Sequence, residues 1–222
     1  MDIIIAPDPP SAAQEAAAWT ARQLRNAVSR RGVASVAFSG GSTPALMLAA
    51  LTELSVPWAS TTVFQVDERV APDGDPDRNA KLLDVLQPCG TTILLMPVNA
   101  TDLQAACREY ADLLPDRLDV VHLGLGDDGH TASWPPGDPV VDMPGKVAIS
   151  REFKGRVRAT LTVHAVNAAR RRLVLATGHE KALALERWLL HDHALPIDRV
   201  GRTNTLVVLD SDAASRLPYE AR

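Results

Sequence analysis

Short apolar runs alternate with longer amphipathic stretches along most of the chain. Runs at 3–6, 33–38, 61–66, 92–95, 119–123, 173–176 and 206–209 have the length and composition of strands buried in a sheet. Between them, apolar positions recur at helical spacing over 11–30, 44–54, 79–86, 102–114 and 180–190. Ser11 is the expected cap of the first helix, and Pro44 suits the first turn of the second. Residues 158–163 alternate in the manner of a further strand. Strands alternating with helices predict a mainly parallel, Rossmann-like sheet covered on both faces, a three-layer α/β/α sandwich. No repeat, low-complexity tract or long linker divides the chain, so one domain over 1–222 is expected. The proline- and glycine-rich stretch 134–145 is expected to be a loop of the functional site, not a boundary.

Composition narrows the class of partner. With a formal charge of −4 and a pI near 5.8, the chain has no basic surplus for neutralising nucleic-acid phosphates. No apolar run approaches the length of a membrane span, and the N-terminus lacks the basic flank and apolar core of a signal peptide. A cytoplasmic location is expected. Two cysteines, Cys89 and Cys107, are too few for a zinc site and too far apart for a redox pair, and are expected to be small buried apolar residues.

The chemistry gathers at strand ends. Residues 33–38 are followed by Ser39-Gly40-Gly41-Ser42-Thr43-Pro44, and 61–66 by Asp67-Glu68-Arg69. Residues 119–123 lead into Gly124-Leu125-Gly126-Asp127-Asp128-Gly129-His130-Thr131, and 173–176 into Thr177-Gly178-His179-Glu180-Lys181. Parallel strands bring all four clusters to one edge of the sheet, where open α/β sheets bind ligands. The first cluster joins flexible glycines, hydroxyls and free amides to a helix start, which suits an anion; a helix cap after a tight turn fits the same string. The third matches G-x-G-x-x-G, but only about one helical turn fits before Pro135-Pro136-Gly137, and two carboxylates in the turn repel a pyrophosphate. No cofactor is therefore expected.

His130 is the candidate for acid–base work, because imidazole titrates near neutrality. Taken alone, the residue fits a histidine capping a helix or bonding a carbonyl better. Asp127 and Asp128 either orient the ring or are solvated turn residues, and Glu68 is expected in a surface salt-bridge network. Lys181 opposes the dipole at a helix start, which a bound anion would offset; an exposed ammonium is the alternative. His191 and His193 lack a third ligand and are expected at the surface, so no metal site is expected. The four tryptophans show no stacking pattern and are expected in the core or at its rim.

Taken in order, these strings resemble the 6-phosphogluconolactonase family of the glucosamine/galactosamine-6-phosphate isomerase superfamily. The resemblance runs from about residue 33 to 199 and includes Asp77-Arg78-Asn79, Arg158-Ala159-Thr160-Leu161-Thr162, Asn167-Ala168-Ala169, Lys181-Ala182 and Leu195-Pro196. It implies the fold of glucosamine-6-phosphate deaminases and ribose-5-phosphate isomerases. It also implies hydrolysis of 6-phospho-D-glucono-1,5-lactone in the pentose phosphate pathway, without metal, cofactor or covalent intermediate. The turn Ser39, Gly40, Gly41, Ser42, Thr43, with Arg158 and Lys181, would hold the phosphate. His130 would deprotonate water, Arg69 would lie near the sugar or its oxyanion, and Asp67 and Asp128 would bind hydroxyls or orient His130. The expected partner is a small sugar phosphate, and the expected working unit a monomer, with a weak dimer as the alternative. Deaminases of the superfamily carry a glutamate five residues beyond the histidine, where this chain has Pro135. Sugar-phosphate sensors of this fold carry a DNA-binding segment ahead of the first motif, where this chain offers only about thirty residues, mostly one helix. The departures from the family pattern are Trp134-Pro135-Pro136-Gly137 for a Leu-Phe-Pro-Gly-like string, Arg78 for serine, and no tryptophan in 204–209.

Overall fold

The structure is a computed structural model that describes residues 1–218. The chain runs β1 (Asp2–Ala6), α1 (Pro9–Arg31), β2 (Ala34–Phe38), α2 (Ser42–Thr52), β3 (Thr61–Gln65), β4 (Asp67–Arg69) and β5 (Thr92–Leu94). It continues through α3 (Leu103–Leu113), β6 (Val120–Leu123), β7 (Val147–Phe153), β8 (Arg156–Leu161), α4 (Val163–Ala168), β9 (Arg171–Ala176), α5 (Ala182–Leu189) and β10 (Thr205–Asp210). Seven strands form a parallel sheet in the order β1-β10-β9-β6-β2-β3-β5, while β4, β8 and β7 form a small antiparallel sheet beside it.

The two-residue period of the strands divides the core. Val36, Phe38, Val63, Val120, Leu173, Leu175 and Val208 pack with α1 and α2 on one face. Their neighbours Ala37, Phe64, Val121, Val174, Ala176 and Val207 pack with α3, α4 and α5 on the other. This is the expected three-layer arrangement, and it explains why the strands read as continuous apolar runs: both faces are covered. No helix among the described residues is long and apolar enough to cross a membrane.

Several local expectations are corrected. Asp8, not Ser11, caps α1; its carboxylate accepts the Ser11 amide at 2.8 Å, and Pro9 and Pro10 fill the first turn, where no N–H is needed. Residues Asn79–Cys89 wind as 3-10 turns instead of an α-helix and contain Pro88, which lacks the donor an α-helix interior requires. Lys181 closes a 3-10 turn, His179–Lys181, just ahead of α5. Cys107 is buried, but Cys89 only partly so. The small sheet was not foreseen, because β4 is three charged residues and β7 breaks its alternation at Arg151 and Glu152 beside a register shift.

The topology sets the place of the site. From β2 the chain moves outward to β3 and β5, then returns to lay β6 against the other side of β2. The loops leaving β2 and β6 thus part in opposite directions, which opens a crevice at the carboxyl edge of the sheet. β9, β6, β2 and β3 are consecutive neighbours there, so their four polar clusters adjoin.

Candidate active site

One cleft of about 250 Å³ is lined by Ser39, Gly40, Gly41, Ser42 and Thr43, by Asp67, Arg69, Arg158 and Lys181, and by His130. Every candidate site residue borders it except Asp128, which reaches it through His130.

The turn after β2 leads straight into α2. Its N-cap, Gly41, stands at φ 123° and offers no side chain to the first amides of the helix, which remain open to an anion. Gly40 cannot carry a side chain: a Cβ there would overlap the Asn79 carboxamide. Ser39 Oγ donates to the His122 carbonyl at 3.0 Å, and Thr43 and Thr177 share a hydroxyl hydrogen bond of 2.8 Å that ties the β2 turn to the β9 turn. That second turn is fixed by Asp210 at the end of β10, whose carboxylate accepts the Gly178 amide at 3.0 and 3.1 Å. Lys181 follows directly and faces the same cleft, its only ionic neighbour among the described residues being Glu180 at 3.8 Å.

His122, on β6 beneath the turn, is fully buried, and desolvation pushes its imidazole down to about 3. It is therefore neutral. The Ser39 amide lies 3.4 Å from its Nδ1, so the ring accepts there and supports the turn from below.

Across the cleft, His130 Nδ1 lies 2.5 Å from Asp128 Oδ1, which also accepts the His130 amide at 3.0 Å. Partial burial works against the Asp128 carboxylate, but these bonds and the charges of His130 and Lys154 outweigh it and hold the carboxyl below the usual range. An ionised Asp128 accepts the Nδ1 proton and leaves Nε2 with a free lone pair. Phe153, at the end of β7, meets the imidazole edge-on at 5.1 Å, and its ring also carries Arg158 and Lys154 at 5.2 Å each. His130 caps no helix: residues 131–134 form a turn closed by the Trp134 amide on the Thr131 carbonyl at 3.0 Å, with Ala132 at φ 50°.

Gly126, the second glycine of the Gly-x-Gly-x-x-Gly string, has a local reason. A Cβ at this position would overlap the His130 ring and press on the Asp128 carboxylate. Gly126→Ala is therefore expected to displace the imidazole and lower kcat by about tenfold or more, in line with the loss from small misplacements of a catalytic group. An unchanged kcat in that variant would show that the ring position is not critical.

The small sheet supplies the remaining groups. In the β4–β8 register Arg69 stands opposite Arg158, and Asp67 opposite Thr160. Like charges directly opposite are unfavourable, and desolvation together with the Arg69 charge depresses the Arg158 guanidinium. An anion in the cleft would relieve both. Arg69 is steered by Asn79 Oδ1 at 2.7 Å and the Asp77 carbonyl at 2.5 Å. Asp67 is buried and accepts from Ser133 Oγ at 2.6 Å, but has no bond to His130. Burial raises its carboxyl above the usual range against the pull of Ser133, Arg69 and Arg158. Asp128 thus orients the imidazole, while Asp67 faces the cleft.

Glu68 is not in a surface network. It is fully buried, accepts the amides of Arg69, Asn79 and Ala80 at 2.7–2.8 Å and Gln65 Nε2 at 2.8 Å, and pairs with Arg78 at 3.1 Å. The arginine that departs from the family pattern is thus the partner of this carboxylate. Trp134, in the other departure, is buried and donates to the Leu161 carbonyl at 2.8 Å. His191 and His193 are exposed as expected, with His193 held by Asp198 at 2.6 Å. Sequence reasoning passed over Asn79, Phe153 and Lys154 as site residues. Asn79 stood within a quoted string, whereas nothing local marked the two at the β7–β8 turn.

Asp127, Asp128 and His130 offer atoms within 4.8 Å of one another that could ligate a metal. The Asp128–His130 bond accounts for two of the three without an ion.

An α/β sheet with an anion-ready turn facing a carboxylate-held imidazole is the arrangement of an enzyme suited to an anionic substrate. The model of the glucosamine-6-phosphate isomerase/6-phosphogluconolactonase family matches residues 7–209. The chain belongs to this family. It is 32% identical to a 6-phosphogluconolactonase of Streptomyces coelicolor over 93% of this chain and 90% of that one. It is 37% identical to one of Mesorhizobium japonicum over 76% and 71%. A crystal structure of a 6-phosphogluconolactonase from Shewanella baltica superposes with a TM-score of 0.86 at 25% identity, covering 95% of this chain and 97% of that one.

Proposed function

We propose that the chain hydrolyses 6-phospho-D-glucono-1,5-lactone to 6-phospho-D-gluconate, the second step of the oxidative pentose phosphate pathway. It would do so as one catalytic unit over 1–222, working as a cytoplasmic monomer. The observation that carries this reading is the single cleft shared by the Asp128-held His130, the open amides of the β2 turn and Lys181. A lactone is an activated ester, so a positioned base and an anchored substrate suffice. The phosphate sits on the turn 39–43 with Arg158 and Lys181, which fixes the ring so that binding energy orients the carbonyl. His130 Nε2 takes a proton from water, the hydroxide adds to C1, and Arg69 faces the oxyanion that forms. Collapse of the tetrahedral intermediate breaks the C1–O5 bond, and the proton on His130 returns to the departing ring oxygen. Asp67 accepts from a sugar hydroxyl.

Deamination of glucosamine 6-phosphate is the rival within the family. Pro135, at the position where deaminases carry glutamate, has no proton to transfer, and Trp134 before it is locked in the core.

The test is the rate of opening of freshly generated 6-phosphogluconolactone with and without enzyme, since the lactone also opens spontaneously. Catalysis well above the background is expected, and it should persist unchanged after incubation with a chelator. A rate equal to the spontaneous one sinks the activity; loss on chelation with restoration by a divalent cation assigns a metal to Asp127, Asp128 and His130.

A further inference from the structure

At the opposite edge of the sheet, where β6 and β9 begin and α1 ends, lies a second hollow of about 290 Å³ lined by Arg30, Arg31, Arg117, Arg170, Arg171 and Asp119. We infer that it is a binding site for a compact anion carrying two or more phosphate groups, separate from the catalytic cleft.

The charge balance of the hollow carries the argument. Asp119 is buried and already engaged by Arg31, by Arg170 at 3.3 Å and by the Ser35 amide at 3.0 Å. Among the described residues, Arg30, Arg117 and Arg171 have no carboxylate partner. Arg117 donates to the Ala168 carbonyl at 2.9 Å and Arg171 to the Asn204 side chain, both neutral acceptors. Behind them Arg172 is buried and, among the described residues, bonded only to carbonyls and the Thr205 hydroxyl, so its charge adds to the same positive potential. Three separate segments bring these groups together: the end of α1, the approach to β6 and the start of β9.

Positive charge is not a general property of this surface, since the chain as a whole carries −4. Guanidiniums crowded around one saturated carboxylate repel one another, and an oxyanion among them converts that repulsion into charge-assisted hydrogen bonds. The rest of the polar lining is amide, from Gln23, Asn26 and Asn204. Among the described residues no aromatic ring lines the hollow, so it offers a nucleobase no aromatic platform. Dense charge with no aromatic and little apolar lining for a base fits a small polyphosphate or bisphosphorylated metabolite better than a nucleotide.

Titration calorimetry of the full chain at low salt, with inorganic pyrophosphate as the probe and orthophosphate as the monophosphate control, tests the inference. Two double variants separate the sites: Arg30→Ser with Arg171→Ser for the hollow, and Arg158→Ala with Lys181→Ala for the cleft. Pyrophosphate is expected to bind the wild type and the cleft variant alike, more tightly than orthophosphate, and the hollow variant about tenfold or more weakly. Lactone hydrolysis should be unchanged in the hollow variant. If that variant proves unstable, Arg30→Glu alone, at an exposed side chain, should weaken binding in the same direction. Affinity that follows the cleft variant, equal affinity in all forms, or no saturable binding overturns the site.

Discussion

Replacing His130 with alanine lowers kcat for lactone hydrolysis by about 10²–10⁴-fold, the range supplied by a positioned general base. The expectation rests on one contact. Asp128 takes up Nδ1 at 2.5 Å, so the nitrogen that can accept a proton from water is Nε2. Without it, the site can still bind and orient the lactone through the turn at 39–43, Arg158 and Lys181, so KM should change little. The residual rate should exceed the spontaneous one only by what orientation and the oxyanion contact provide. Initial rates on fresh lactone, corrected for spontaneous opening, together with calorimetric binding of 6-phosphogluconate, separate the two effects. Asp128→Asn should fall between wild type and His130→Ala, because the amide can present its NH2 to the ring and favour the wrong tautomer. If His130→Ala retains wild-type turnover, the base lies elsewhere in the cleft. If it loses product binding in proportion to kcat, the histidine holds the substrate instead.

Both the layers of the fold and the strand-end position of His130 were legible in the sequence. β2, β3, β6 and β9 are apolar on both faces, so composition alone distinguished them from the amphipathic helices, and parallel pairing then forced their polar ends to one edge. The small antiparallel sheet was not legible, because β4 is made of charged residues whose strand geometry comes from pairing with β8 and not from propensity. The same limit applied to individual side chains. Asn79 matters through its approach to Gly40 and its bond to Arg69, and Phe153 through the turn that lays it on His130. Contacts of this kind span ten to about forty residues and leave no local period. Gly126 shows the converse: its string was legible, yet the reason for the glycine, clearance for the imidazole, appears only in three dimensions.

Glu68 was the residue whose role was most misjudged, and its replacement has the largest expected effect on stability. Its two oxygens, themselves buried from solvent, accept four hydrogen bonds and face Arg78. Glu68→Gln keeps the shape, but whichever way the amide turns, its NH2 confronts backbone N–H donors: those of Arg69 and Asn79 on one side, that of Ala80 on the other. It also leaves Arg78 buried with Asp73, an exposed carboxylate, as its remaining ionic partner among the described residues. Removing one member of a buried pair costs about 3–5 kcal/mol, which for a chain of this size lowers Tm by roughly 6–20 °C. Activity should fall as well at temperatures where the variant is folded, since the Asn79 amide anchored by Glu68 sets the carboxamide that holds Arg69 and abuts Gly40. Glu68→Leu combined with Arg78→Met removes both charges, and it should recover part of the lost Tm if the unpaired guanidinium is the main penalty. It should not recover activity, because the amides of Asn79 and Ala80 stay without an acceptor. Thermal melts and initial rates on the two variants decide the matter: a Glu68→Gln protein melting within a degree of wild type would mean that the carboxylate does not hold this corner of the site together.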